Sequence, residues 1–229
     1  MTPAADATQT PPPEPSPPPA DTVTPVPPTA TPTPARPTRV TLDFTSLPDW
    51  QNAFDSGTAT AANGILTIDA PAGFNEFLLE GGPPPPGDPW LADVSNERGW
   101  WVETRMRVDP LTEDQCDTSG TRGPALTTWL TDDTNELVQI GWDTHAMCLI
   151  LGIDSAMRVP MDTTDGFHVY RVARQLRRVR VWVDGVLVID QQVDQLGGTI
   201  QGLVFGDGQA GHGPTRSYWD YFTYDVSGP

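Results

Sequence analysis

From residue 167 to residue 190 the chain reads FHVYRVARQLRRVRVWVDGVLVID, a run in which apolar and polar positions alternate. The alternation predicts three consecutive strands, 167–173, 178–183 and 186–189, the last two joined by Asp184-Gly185. Asp-Gly between two apolar runs signals a tight hairpin, because a type I′ turn needs positive φ at both central positions. In the second strand Val179, Val181 and Val183 fall on one face, and Arg178, Arg180, Trp182 and Asp184 on the other. Successive side chains of a strand point to opposite sides, so one face is predicted to be core and the other cationic, aromatic and wet.

Residues 99–109, GWWVETRMRVD, repeat the pattern. Trp100, Val102, Met106 and Val108 make the apolar face, and Trp101, Glu103, Arg105 and Arg107 the opposite one. Further strands are predicted at 39–44, 65–69, 74–79, 125–130, 137–142, 146–153, 200–205 and 216–226. Turn chemistry separates them, as at Asn63-Gly64, at Asp143-Thr144-His145, and at Asp132-Asp133-Thr134-Asn135, which would join 125–130 to 137–142 as a hairpin. No segment carries the i, i+3, i+4, i+7 apolar stripe of a helix beyond one turn. Many short strands between turns predict an all-β chain, folded as two antiparallel sheets face to face. Residues 81–90, GGPPPPGDPW, read as a stiff surface loop; the four consecutive prolines offer no ladder donors. Its Trp90 is expected to tuck back into the core rather than to meet a ligand.

Composition divides the chain. Residues 1–38 are mostly Pro, Thr and Ala and hold 14 of the 26 prolines. Such a run favours extended polyproline II and cannot pack. Residues 1–38 are therefore expected to be a low-complexity stalk or linker, and residues 39–229 one β-sandwich domain. The net charge is −17, of which the stalk carries −2, leaving −15 on the domain. An acidic domain repels phosphate backbones and anionic lipid, which argues against nucleic acid and membrane surfaces as partners. No apolar run is long enough to span a membrane. All 13 basic residues are arginine, a bias that with abundant Ala, Gly and Pro suggests a GC-rich bacterial gene. Met1 ahead of Thr-Pro-Ala-Ala reads as a start placed on a mature sequence, from which a signal or lipoprotein anchor has been trimmed. The expected location is extracellular or anchored at the cell surface. Cys116 in a polar loop and Cys148 in an apolar strand are expected to form a disulfide there.

Three segments carry a family resemblance. Phe167-His168-Val169-Tyr170-Arg171-Val172 looks like a W/F-H-x-Y-R-I strand, and the Val-Trp-Val-Asp-Gly-Val core within 179–188 looks like the v-x-v-y-v-D-G hairpin that follows it. Leu203-Val204-Phe205-Gly206-Asp207 with Tyr218-Trp219-Asp220-Tyr221-Phe222 looks like the closing i-x-F-G-D … W-D strands. Residues 99–108 are similar to an early G-w-x-v-E-x-r-v-r-v strand. Together these resemble bacterial members of the concanavalin A-like lectin/glucanase superfamily, laminin-G-like and pentraxin-like jelly rolls included. The resemblance implies a jelly-roll sandwich over roughly 39–228. It leaves function open, because this fold hosts lectins, glucanases and polysaccharide lyases.

The resemblance also names the chemistry to look for. Glucanases of the superfamily commonly carry Glu-x-Asp-x-x-Glu on one strand, and the seven glutamates here never take that spacing. Lyases of the fold use Gln-Ile-His, and here Gln139-Ile140 is followed by Gly141. Laminin-G-like and pentraxin-like relatives often bind calcium through loop oxygens, the ligands a hard cation needs. The candidates are Asp132, Asp133, Asn135 and Glu136 in one turn, and Asp207 with Asp220; the alternative is that Asp-rich turns satisfy backbone donors. His168 fits a structural histidine better than a base. On the outward face, Trp101, Arg105, Arg107, Arg180 and Trp182 would share one sheet surface. Trp stacks on sugar rings and Arg donates to hydroxyls or carboxylates. Alternatively that face is covered and its arginines pair with the many acids. The expected function is a non-catalytic glycan-binding or adhesion module whose partner is a polysaccharide. Alternatives are a structural subunit of a surface layer, sheath or filament, contacting copies of itself, and a glycoside hydrolase or polysaccharide lyase.

Overall fold

The computed structural model describes residues 37–52, 57–70, 75–79, 88–111, 116–117, 120–121, 124–130, 138–151, 155–192, 200–207 and 214–229. Residues 1–36, the Asp132-Asp133-Thr134-Asn135-Glu136 stretch and His212 lie outside them. All described elements belong to a unit that begins at Arg36. In chain order the strands are β1 (Arg39–Leu42), β2 (Gln51–Asn52), β3 (Thr58–Ala62), β4 (Ile65–Ala70), β5 (Asn75–Leu79), β6 (Trp100–Val108), β7 (Cys116–Asp117), β8 (Gly120–Thr121) and β9 (Pro124–Leu130). They continue as β10 (Val138–Asp143), β11 (Ala146–Leu151), β12 (Ser155–Pro160), β13 (His168–Gln175), β14 (Arg178–Val183), β15 (Val186–Gln192), β16 (Ile200–Asp207) and β17 (Thr215–Asp225). One single-turn helix, α1 (Pro89–Asp93), precedes β6. Among the described residues no helix is long and apolar enough to cross a membrane.

The strands form two large antiparallel sheets, as the alternation predicts. One has eight strands in the order β15-β14-β13-β6-β17-β4-β3, with β1 also paired to β17. The other runs β12-β11-β10-β9-β16-β5-β2. β13, β14 and β15 are consecutive neighbours, and the turn between the last two holds Asp184 at φ 49° and Gly185 at φ 78°. Both central positions are thus left-handed, as the Asp-Gly signal requires. β9 and β10 pair as expected, with Val138 opposite Thr128.

Two regular strands escaped prediction. β3 is TATAA and β12 is SAMRVP; neither alternates strongly enough in polarity to mark a face. The single-turn helix is a local addition to an architecture that is otherwise all β, as expected. Asp88 caps it by accepting from the Trp90 backbone N–H at 2.8 Å, with Pro89 at the first turn. This is a common helix start, and it turns Trp90 fully inward, edge-on to Trp100 and Tyr224 at 5.4 and 5.7 Å between ring centroids.

The inner faces meet in an aromatic core. Phe205 from β16 stacks on Phe222 from β17 at 4.4 Å, and Trp219, Trp50 and Phe77 surround Phe205 at 5.1, 5.4 and 5.5 Å. Trp142 from β10 sets its edge against Tyr170 of β13 and Trp219 of β17, at 5.2 and 5.6 Å. Val179, Val181 and Val183 of β14 point into this core, as expected. Phe205 lies fully buried among rings from both sheets, so Phe205→Ala is expected to lower the unfolding free energy by about 3–5 kcal/mol, read from urea denaturation.

Candidate functional site

The outer face of the eight-stranded sheet carries the residues singled out from the sequence. β6 alternates, with Trp100, Val102, Thr104, Met106 and Val108 buried, and Glu103, Arg105 and Arg107 turned outward. β14 turns Arg178, Arg180 and Trp182 to the same side. Between them lies β13, whose outward residues are Val169, Arg171 and Ala173; Arg171 sits opposite Trp182 on one flank and Glu103 on the other. Beyond β6 and β17, β1 adds Arg39, opposite Asp225.

The aromatic and cationic groups interleave across strands. The Arg171 guanidinium lies over the Trp101 ring at 4.4 Å and near Trp182 at 5.7 Å. Arg39 covers Trp101 from the other flank at 5.1 Å, and Arg180 reaches Trp182 at 5.6 Å. A cation over an aromatic face is attracted by the ring quadrupole. This leaves Trp101 only 8% exposed, so it supports Arg171 from beneath rather than offering its own face. Trp182 keeps part of its ring accessible. A groove of about 380 Å³ opens beside it, lined by Glu103, Val169, Arg171, Arg180, Trp182, Gly185 and Pro229.

The five predicted residues therefore separate. Arg180 and Trp182 line the groove. Arg105 and Arg107 are committed elsewhere: Arg105 ion-pairs with Asp220, and Arg107 meets Asp109 at 3.5 Å and lies over the Tyr218 ring at 4.1 Å. The acid-pairing alternative holds for that part of the face. Arg171 and Glu103 line the groove without having been singled out for it. Arg171 was absorbed into the Phe-His-x-Tyr-Arg motif; its alternation with Tyr170 and Val172, which are core, was the signal that it faces outward.

Two arginines in the groove lack acidic partners. Among the described residues no ion pair joins Arg171 or Arg180 to a carboxylate, and the Nε of each is buried without a hydrogen-bond partner; Asp190, opposite Arg180 in the sheet, acts on it only at longer range. The nearby acids are occupied. Asp190 is held by Arg178, with Nε donating to Oδ1 at 2.6 Å. Glu103 accepts from the Tyr221 hydroxyl at 3.0 Å. Burial and that bond push the Tyr221 phenol up to about 12, so it stays a donor. Among the described residues Glu103 is the one acidic side chain lining the groove.

The opposite sheet offers a different surface. On β10, Gln139 and Asp143 alternate with the core residues Val138, Ile140 and Trp142. Asp143 accepts from Arg158 at 2.9 Å. Asp207 on β16 is fully buried, whereas Asp220 on β17 is turned outward and ion-paired with Arg105, so these two calcium candidates face different surroundings. The described residues contain no cluster of three or more metal-ligating acids, histidines or cysteines, and the other four candidates lie outside them.

Comparison with known proteins bears on the fold. No family model and no curated protein matches the sequence. Solved structures do. The chain is similar to a Crh5 transglycosylase determined with NAG, at 16% identity and a TM-score of 0.58, over 85% of this chain and 86% of that one. It is also similar to an endo-acting O-glycanase from gut microbiota, described as initiating mucin breakdown, at 12% identity, TM-score 0.54, over 82% and 98% of the two chains. A β-glucanase of Bacillus licheniformis matches at 13% identity and a TM-score of 0.51, over 82% and 97%. The fold is thus the concanavalin A-like jelly roll that the sequence motifs pointed to. At these identities the likeness concerns architecture alone.

At the Asp184-Gly185 end of the groove sits His168. Its Nδ1 meets Asp184 at 2.7 Å and its Nε2 meets Asp165 at 2.8 Å. Burial pulls its pKa down, but the two carboxylates outweigh burial and hold the imidazolium above the ordinary histidine value. Burial likewise pushes Asp184 up, yet His168 and the Val169 backbone N–H hold it below the usual carboxylate range. With both ring nitrogens bonded, His168 fastens the turn and has no face left for a base. A raised folded pKa contributes stability that is full below the unfolded value and is lost as pH rises through the folded one. The urea midpoint of the wild type is therefore expected to fall from about pH 6.5 upward, and His168→Gln to flatten that slope. An unchanged slope would show that the imidazolium is not held.

Proposed function

We propose that residues 39–229 form a non-catalytic glycan-binding or adhesion module, carried on the residue 1–38 stalk outside a bacterial cell. The observation that carries this reading is the groove in which half-exposed Trp182 stands beside Arg171 and Arg180. An aromatic face beside polar donors is what a sugar ring requires, since CH groups stack on the ring while N–H groups meet hydroxyls. Among the described side chains the groove presents one carboxylate, Glu103, whereas glycoside hydrolysis needs two flanking the scissile bond. The names of the structural neighbours, a transglycosylase, a glucanase and a mucin O-glycanase, are in keeping with a saccharide partner.

A second reading, a structural subunit assembling with copies of itself, is favoured by one feature. β15 is an edge strand with Val186 63% and Leu187 46% exposed, and such edges template pairing with other chains. Light scattering separates the two readings, a concentration-dependent polymer favouring assembly. The enzyme reading is favoured by the carbohydrate-active neighbours and is tested by polysaccharide digestion.

Export carries a corollary. Cys148 is buried in β11, and the backbone of Cys116 in β7 runs close to β10, β11 and β12. We infer a Cys116–Cys148 disulfide, which in the chain-entropy model contributes about 3–4 kcal/mol for a loop of this length. Maleimide labelling of the urea-unfolded chain should then find no thiol before reduction and both afterwards; label without reductant would refute the bridge. For the main reading, binding is expected to at least one member of a broad polysaccharide panel. Trp182→Ala should weaken it about tenfold, and Trp101→Ala by less, through loss of support for Arg171. Silence across the whole panel would sink the glycan-binding reading.

A further inference from the structure

We propose that the groove is selective for acidic saccharides, sugars bearing a carboxylate or a sulfate ester, and that Arg171 and Arg180 are the residues that read the anion. This rests on the glycan-binding reading and adds to it the class of ligand. The domain carries a net −15 by sequence, yet among the described residues neither arginine of this groove is ion-paired with an acid. Arg105, Arg178 and Arg216 on the same sheet each have a carboxylate: Asp220, Asp190 and Asp69 respectively. Arg39, Arg98 and Arg177 also make no ion pair among the described residues; what distinguishes Arg171 and Arg180 is that both line one groove with Trp182, where a single anionic ligand would meet the two guanidiniums together.

The geometry favours a bidentate contact. Arg171 stands between the Trp101 and Trp182 rings, which fix the plane of its guanidinium. A planar fork held in place loses little freedom on binding and matches the two oxygens of a carboxylate or sulfate. Its Nε and that of Arg180 are buried without an acceptor, which leaves the terminal nitrogens of each fork to meet an anion. The surroundings limit charge density. Glu103 lines the groove, while Asp190 and Asp225 stand opposite Arg180 and Arg39 in the sheet. A densely charged polyanion would run onto these acids, whereas an isolated acidic unit flanked by neutral sugars would meet the arginines alone.

The test uses the full chain and matched ligand pairs in calorimetry. The carboxylate arm compares hyaluronan hexasaccharide with its carboxyl-reduced form, and 3′-sialyllactose with lactose. The sulfate arm compares a κ-carrageenan hexasaccharide with its desulfated form. The expected result is that at least one acidic member binds about ten- to a hundredfold tighter than its neutral partner, and that the responding arm says which anion is read. Arg171→Gln and Arg180→Gln should each erase this preference, with thermal unfolding unchanged as the check on folding. Equal binding of acidic and neutral partners would overturn the selectivity while leaving the glycan-binding reading intact. An acidic preference that survives both substitutions would overturn the assignment to these arginines. Binding of no saccharide, charged or neutral, would remove both readings together.

Discussion

The stacking of Phe205 on Phe222 joins the two sheets, and the site depends on it at one remove. Phe222 and Trp219 both face the core, although a regular strand would send residues three apart to opposite sides. The register of β17 against β6 shifts between Trp219 and Tyr221, and this bulge accommodates the extra residue. Asp220 and Tyr221 are then displayed outward in succession. Asp220 takes up Arg105 and Tyr221 fixes Glu103. Core packing thereby decides which cations of the outer face are neutralised, and the unneutralised ones are left beside the groove.

Electrostatics on this face is organised by register rather than by overall charge. Arg178 and Arg180 sit on the same side of β14 two residues apart, and Asp190 lies directly across from Arg180. The carboxylate nevertheless bonds Arg178. Arg180 turns to the Trp182 ring instead, and Arg171 to two rings. Exposed ion pairs contribute little to stability, so the distribution of partners matters less for folding than for which donors remain free to act.

The strand pattern was legible where polarity alternates strongly, as at Val179, Val181 and Val183 against Arg178, Arg180 and Trp182. It was illegible in Thr58–Ala62, where small residues blur the two faces. The inward turn of Trp90 was foreseen, but the helical turn that produces it was not, since its only signals are Asp88 and Pro89. Of the site, Arg180 and Trp182 could be read because an Arg-x-Trp pair on one face of a strand is conspicuous. Arg171 could not be weighed properly, since its value lies in what it does not pair with, and pairing depends on cross-strand neighbours far away in sequence. The same ignorance of partners put Arg105 and Arg107 among the candidates.

The outer wall of the groove is built by β14 and β15, a hairpin at the margin of its sheet, and the register between them shifts beside Trp182. Among the described residues only one flank of this hairpin is hydrogen-bonded to the rest of the domain. Lengthening, shortening or re-registering β15 would reposition the Trp182 platform while the aromatic interior stayed as it is. The groove is in this sense a trim on a fixed frame. Descendants of such a chain could diverge in what lines it by changing the outward positions of the hairpin, while Val179, Val181, Val183 and Ile189 keep their places in the core.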